Sequence, residues 1–274
     1  MARWDWYRGT IHEADPGHVC ALLQSAFDLS DVRPGQPKNG YERGAEVARG
    51  ERVFAWVWWG GNKGICVTGS GENAPAVSDV LRRFEHRVTR ADACEDWEEE
   101  GLFDRLSGAL LDFAQSSRLT INQQGDWIRG RARSLYLGSK SSSCQLVLYE
   151  KGDQLGINRP WVRLEARVYP KGDAGYQVAS WVPGEAFGAS RWMTQALERI
   201  GWDHLQAKSV GTVWRPSDAL RARLQLVRQY KATLRSWVEE AGSWDAMGAE
   251  FELLRDQVES NTLGQEVSDV VLLH

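Results

Sequence analysis

The chain has 274 residues, 42% hydrophobic and 26% charged, with a net charge of −4. That is enough for one large domain or two modest ones, and the longest apolar run, Val53 to Trp59, is far too short to cross a bilayer. With no apolar leader at the start and four cysteines (Cys20, Cys66, Cys94, Cys144) lacking any C-x-x-C pair, membrane insertion, secretion, thiol-redox and zinc-knuckle readings are set aside, and a reducing, cytoplasmic setting is expected.

In chain order, Arg3 to Glu13 reads as an aromatic-rich strand ended by Asp15-Pro16. Pro16 then opens a helix whose Val19, Leu22, Leu23, Ala26 and Phe27 recur at helical spacing. Two or three strands follow between Glu46 and Gly69, and a helix is predicted from Pro75 to His86. A strand from Val88 to Trp97 and a helix from Leu102 to Ser116 come next. The pattern recurs in strands near Leu119–Asn122, Asp126–Gly138, Cys144–Tyr149 and Trp161–Tyr169, then a helix from Ser190 to Ile200. This order predicts an α+β fold: antiparallel sheets with helices on one face, in a pseudo-duplicated β-α-β core. Ser217 is placed to cap a long helix reaching Glu240, Trp244 to Glu259 forms another, and Asn261 to His274 reads as frayed. The domain division is set at residues 1–202 and 203–274.

Charge is segregated along the C-terminal part. Residues 215–240 carry a net +3 and residues 241–274 a net −6. Arg221, Arg228 and Arg235 stand seven residues apart with Lys231 beside the stripe, while Leu220, Leu224, Val227 and Leu234 form another face. Such a helix is either a solvated face or a grip on duplex DNA phosphates. The fourteen tryptophans are spread along the chain and read as core and sheet fillers.

Side chains alternate along a strand, so parity assigns faces. Arg90, Asp92, Cys94 and Asp96 share one face of their strand, opposite Ala91 and Ala93. Gln145, Val147, Tyr149 and Lys151 oppose Leu146 and Leu148, and Arg163, Glu165 and Arg167 oppose Val162, Leu164, Ala166 and Val168. If these strands are neighbours, Asp92, Tyr149, Lys151, Arg163 and Glu165 converge. Two carboxylates are ligands for a hard divalent cation, a tyrosine hydroxyl can attack phosphorus, and Lys151 or Arg163 can bind the phosphate and lower the tyrosine pKa. The solvated face of an antiparallel sheet accounts for the same alternation.

The run Ser134 to Ser142 (SLYLGSKSS), followed by Leu146 to Gly152 (LVLYEKG) and Trp161 to Glu165 (WVRLE), resembles the signature of rolling-circle replication initiators of filamentous phages and staphylococcal-type plasmids, and of related relaxases. Upstream, Thr89-Arg90-Ala91-Asp92 with Asp96 is similar to the family's acidic strand, and Asp5 with Thr10 matches its N-terminal strand more loosely. The similarity spans roughly residues 4 to 170. It implies that Tyr149 is the nicking nucleophile, that Asp92 and Glu165 belong to a metal-bearing acidic site holding Mg²⁺ or Mn²⁺, and that Asp5 is a further ligand. Val147 stands where the family often has Arg, leaving the phosphate contact to Lys151 or Arg163, and Glu150 replaces the commoner Asp. None of the five histidines forms the His-x-His pair of other relaxases, in keeping with a carboxylate-bound ion.

Gly138 to Ser143 reads as a hairpin turn and, given the resemblance, as a DNA-backbone contact through Ser139 and Lys140; it carries no Walker pattern. Tyr136 is the rival nucleophile, read as packing or supporting the site. Asp96 lies ~13 Å along its strand from Asp92, too far to share one ion without a bulge. Glu98 to Glu100 read as a helix N-terminal charge cluster, and His86 as a satisfied surface histidine. The resulting expectation is an initiator that nicks and rejoins origin DNA through a 5′-phosphotyrosine, the DNA single-stranded at the nick and duplex nearby. A host helicase and a second copy of the chain are further expected partners, and a membrane is not. The alternative is a non-catalytic origin-binding or regulatory protein of the same fold.

Overall fold

The computed structural model describes residues 2–28, 30–157, 159–202 and 218–259. Two compact units make up the chain, Met1–Val213 and Trp214–His274. Residues 203–217, which hold the expected domain boundary and the Ser217 cap, lie outside the described residues, as does the tail from Asn261.

The first unit is built on a sheet of ten antiparallel strands in the order β2-β3-β4-β5-β1-β6-β10-β9-β8-β7. In its first half, β1 (Arg3–Ile11) leads to helix α1 (Pro16–Ala26), then to β2 (Asp31–Pro34), β3 (Arg43–Arg49), β4 (Arg52–Trp59) and β5 (Ile65–Ser70). Helix α2 (Ala74–Leu81) returns the chain to β6 (His86–Glu98). In the second half, α3 (Leu102–Ser116) precedes the meander β7 (Ile121–Asp126), β8 (Arg131–Leu137) and β9 (Cys144–Glu150). The short α4 (Lys151–Leu155) then leads to β10 (Trp161–Val168), followed by α5 (Ala174–Val178), a 3-10 turn over Pro183–Gly188, and α6 (Arg191–Glu198). The two halves meet where β6 pairs with β10, so the fold is α+β as the periodicity predicts.

One face of the sheet is apolar. Tyr7, Ile11, Val67, Ala91, Ala93, Leu135, Leu146, Leu148, Leu164 and Ala166 are buried there with residues of the helices. Asp15 accepts a hydrogen bond from His18 N at the start of α1, and Ser190 does the same for Met193 N at α6. A Cβ on Gly69 would lie 2.5 Å from Val77 Cγ2, so the glycine lets α2 close onto β5.

Four local expectations need correction. The helix predicted to run to His86 ends at Leu81, and His86 is the first residue of β6. It is buried rather than at the surface, 3.0 Å from Tyr7 Oη and 3.1 Å from the Phe84 carbonyl. The strand expected across Asp126–Gly138 is split by a turn, because Asp126 Oδ1 accepts from Ile128 N and Arg129 N and folds the chain back into β8. Lys151 leaves the β9 alternation and opens α4.

The second unit holds α7 (Asp218–Ala241), which bends at Tyr230 (φ −112°, ψ 19°), and α8 (Trp244–Glu259). Trp237 Nε1 donates to Glu250 at 2.7 Å across the pair. Lys231 and Arg235 are exposed, while the side chains of Arg221 and Arg228 lie outside the described residues.

Candidate active site

The sheet order brings β1, β6, β10 and β9 side by side, which is the adjacency the parity argument required. Register sets the rows: Tyr149 opposes Arg163, which opposes Asp96; Arg167 opposes Asp92; Glu165 opposes Cys94. All these side chains share the face opposite the apolar core. That face is not a solvated one, since Asp92 is 1% exposed, Glu165 3%, Arg163 4% and Tyr149 7%. Buried charges persist only when paired or hydrogen-bonded, and here each one is.

Asp5 reaches this face through an irregularity. Trp4 pairs with Ala93 and Trp6 with Asp92, leaving Asp5 as an extra residue on β1. Trp4 and Tyr7 keep their places in the core while Asp5 and Trp6 both turn to the polar side. There Arg163 Nη1 bonds Asp5 Oδ1 at 2.7 Å, and Arg163 Nε and Nη2 bond Asp96 at 2.6 and 3.1 Å. The gap between Asp92 and Asp96 is thus served by a guanidinium bridging Asp96 to the bulged Asp5. Trp161 Nε1 and Arg3 complete the Asp96 environment at 2.8 and 2.6 Å.

Asp92 is gripped by Arg90 Nε, 3.1 and 3.0 Å from its two oxygens, and the same guanidinium lies 4.3 Å from the Trp6 ring centroid. Glu165 is held by Arg167 at 2.9 and 2.6 Å, and Arg167 also lies over Tyr136 at 5.7 Å. Tyr136 therefore supports the arginine that holds Glu165. Lys151 Nζ is 5.7 Å from the Tyr149 ring centroid and bonds Gln154 Oε1 at 2.9 Å. Glu150 is turned away from this cluster, tied to Arg133 at 2.7 Å, which also pairs with Asp104 of α3 at 2.5 Å.

The electrostatics follow from burial and crowding. Burial, then the charge of Asp92, raises Glu165 to about 7 despite Arg167. Burial also raises Asp92 against the opposing pull of Arg90. Burial would raise Asp96 too, but its hydrogen bonds from Arg163 and Trp161 outweigh it and hold the carboxyl below the usual range. Tyr149 is raised by burial and by the charge of Glu165, with the Arg163 guanidinium beside it acting the other way. Burial pushes the neighbouring Cys94 thiol up to about 12, so it stays a thiol.

The donor set suits a hard divalent cation in kind: carboxylates only, with Asp5 and Asp92 both adding to the charge that lifts Glu165. Among the described residues, however, no three His, Cys, Asp or Glu side chains close on a common point, because arginines occupy the carboxylates. An ion on Asp92, Glu165 and Asp5 would have to compete with Arg90, Arg167 and Arg163 in turn.

Ser139 and Lys140 lie in the β8–β9 turn, where Ser142 N bonds the Ser139 carbonyl at 2.9 Å. Cys144, just after this turn, is five residues from Tyr149, or ~17 Å along β9, so the structure does not bring the turn to the tyrosine. Sequence reasoning placed Arg90 and Arg167 on the right face without giving them a role, and it had no signal for Trp6.

No protein-family model matches the chain, and no curated protein matches it. Among solved structures, the fold is similar to that of a rolling circle replication initiator protein from Geobacillus stearothermophilus. That likeness has a TM-score of 0.50 and 18% identity, over 76% of this chain and 98% of that one. A heterotetrameric sarcosine oxidase from Corynebacterium sp. U-96 overlaps at a TM-score of only 0.20 and 12% identity, over 75% of this chain and 87% of that one, too slight to bear on the fold.

Proposed function

We propose that the protein initiates rolling-circle replication by cutting and rejoining one strand of origin DNA, with Tyr149 as nucleophile. The observation that carries this reading is the set of buried, arginine-clamped carboxylates next to a buried tyrosine on four adjacent strands, in a fold similar to a replication initiator. Charges this deeply buried cost stability, and a functional site is where such a cost is retained. In the proposed step the phenolic oxygen bonds to phosphorus as it loses its proton, the P–O3′ bond breaks, and the 3′ oxygen takes up a proton and leaves as a hydroxyl. Attack by a 3′-hydroxyl on the phosphotyrosine reverses the sequence and rejoins the strand. Arg163 and Lys151 would neutralise the phosphate beside Tyr149. A divalent ion held by Asp92, Glu165 and Asp5 would supply further positive charge and offset the carboxylates that keep the tyrosine protonated.

The test is a covalent adduct. Incubation with a mixed-sequence library of single-stranded DNA and Mn²⁺ should give a protein–DNA band on a denaturing gel. Tyr149→Phe should abolish that band while keeping the fold, since one hydroxyl is worth ~1 kcal/mol. An adduct mapped by mass spectrometry to Tyr136 would overturn the assignment. DNA binding without any adduct would favour a regulatory protein of the same fold.

A further inference from the structure

The polar face of the sheet continues past the carboxylates. Between Arg8 and Gly9 the β1–β6 register slips again: Arg8 pairs with Arg90 and Gly9 with Val88, leaving Thr89 as the extra residue on β6. Arg8 Nε donates to Thr89 Oγ1 at 3.0 Å. Beyond this second irregularity lies a cavity of about 500 Å³ lined by Arg8, Arg87, Lys63, Asn39, Tyr41 and Asn62, among others.

Its charge balance is opposite to that of the acidic centre. There Arg90, Arg163 and Arg167 are each bound to a carboxylate through two guanidinium nitrogens. Here no carboxylate lines the cavity, and among the described residues Arg8, Arg87 and Lys63 form no ion pair. Three cations with no internal counterion, in a recess of ligand size, call for an anion from outside. The half-buried Tyr41 offers an aromatic surface, and Asn62, which donates to the Asn39 carbonyl at 2.9 Å, offers a side-chain amide. Phosphate, base and ring together describe a nucleotide unit.

Resting on the DNA reading above, we propose that this cavity holds the backbone and one base of the same single strand, several nucleotides away from the bond cut at Tyr149. Arg87 is five residues from Asp92 along β6, ~17 Å, and Arg90 with Arg8 bridges the interval as cross-strand neighbours. A strand lying across the face would meet Arg167, Arg90 and Arg8 in turn before entering the cavity.

The experiment is a salt titration of binding to a fluorescein-labelled single-stranded oligonucleotide, read by anisotropy in chelator so that no cutting intervenes. Lys63→Ala/Arg87→Ala should lower the slope of log affinity against log salt by about 1.4 and weaken binding about 25-fold at 0.1 M salt, with the melting temperature unchanged. If the double variant melts early, charge reversal of the exposed Lys63 alone, Lys63→Glu, should still cut the slope by about 0.7 or more. Wild-type binding with an unchanged slope in these variants overturns the cavity assignment and leaves the Tyr149 reading standing. Calorimetric binding of inorganic phosphate that the variants lose, with oligonucleotide binding intact, would mark a free-phosphate site and overturn the strand proposal. A wild-type protein that binds no oligonucleotide at all would overturn both readings.

Discussion

Replacing Arg163 with methionine removes a guanidinium that makes three hydrogen bonds to two carboxylates, 2.7 Å to Asp5 and 2.6 and 3.1 Å to Asp96. The new side chain fills similar volume, so the loss is chiefly electrostatic. Breaking a buried pair from one side costs about 3–5 kcal/mol. The low end applies, because Asp96 keeps Trp161 and Arg3 as partners and the Asp5 and Asp96 side chains are 20% and 18% exposed. A loss of about 3 kcal/mol corresponds to a melting temperature lower by about 6–12 °C for a unit of this size. Arg163→Lys should recover little, since a single ammonium cannot reproduce the fork between two carboxylates. In an Asp5→Asn/Asp96→Asn background the methionine should cost well under half as much, which isolates the pairing from the packing. Thermal or urea unfolding of the four proteins measures this cycle. A cost below about 1 kcal/mol in the wild-type background would refute the reasoning, because it is what a solvated surface pair is worth.

Asp92→Asn and Glu165→Gln should each abolish DNA cleavage, and a chelator should mimic them in the wild type; cleavage that persists in chelator would leave the carboxylates the role of ordering arginines. Neutralising Arg221, Arg228, Lys231 and Arg235 together should reduce the salt slope of duplex binding by about 3–4 while sparing cleavage of a short single strand; an unchanged slope would make α7 a solvated face. Burial lowers the His86 pKa, so the unfolded chain takes up the proton first and the stability present above the ordinary histidine range is lost as pH falls through the folded value. The melting temperature of wild type relative to His86→Gln should therefore drop as pH falls from about 7.5 to about 5, and a constant difference would contradict the buried neutral imidazole.

Parity alone was enough to set Asp92, Arg163, Glu165 and Tyr149 each opposite the apolar row of its own strand, because an uninterrupted strand leaves no freedom in which side a residue takes. Adjacency of the strands was not legible, since it depends on pairings between residues as distant as Arg163 and Asp96. The two register slips in β1–β6 were also hidden. A bulge has no compositional mark here, and Asp5-Trp6 and Thr89-Arg90 each put consecutive side chains on the same face. Strand β2 escaped notice because all four of its residues, Asp31 to Pro34, are exposed and give no apolar alternation, while the expected start at Glu46 clipped β3, whose first residue, Arg43, is exposed. The end of α2 was misplaced because Phe84 extends the apolar pattern of Val77, Val80 and Leu81 into what is a turn.

The extra residue in β1 separates the placing of one carboxylate from the hydrophobic pattern of its strand. With Asp5 excised, Trp4 and Tyr7 would still fall on the apolar side and Trp6 would become the lone polar-face residue between them, so the hydrophobic alternation of a regular strand is restored rather than broken. An insertion or deletion is ordinarily the most damaging change a central strand can suffer. Here one codon adds or removes a carboxylate without reassigning any core side chain.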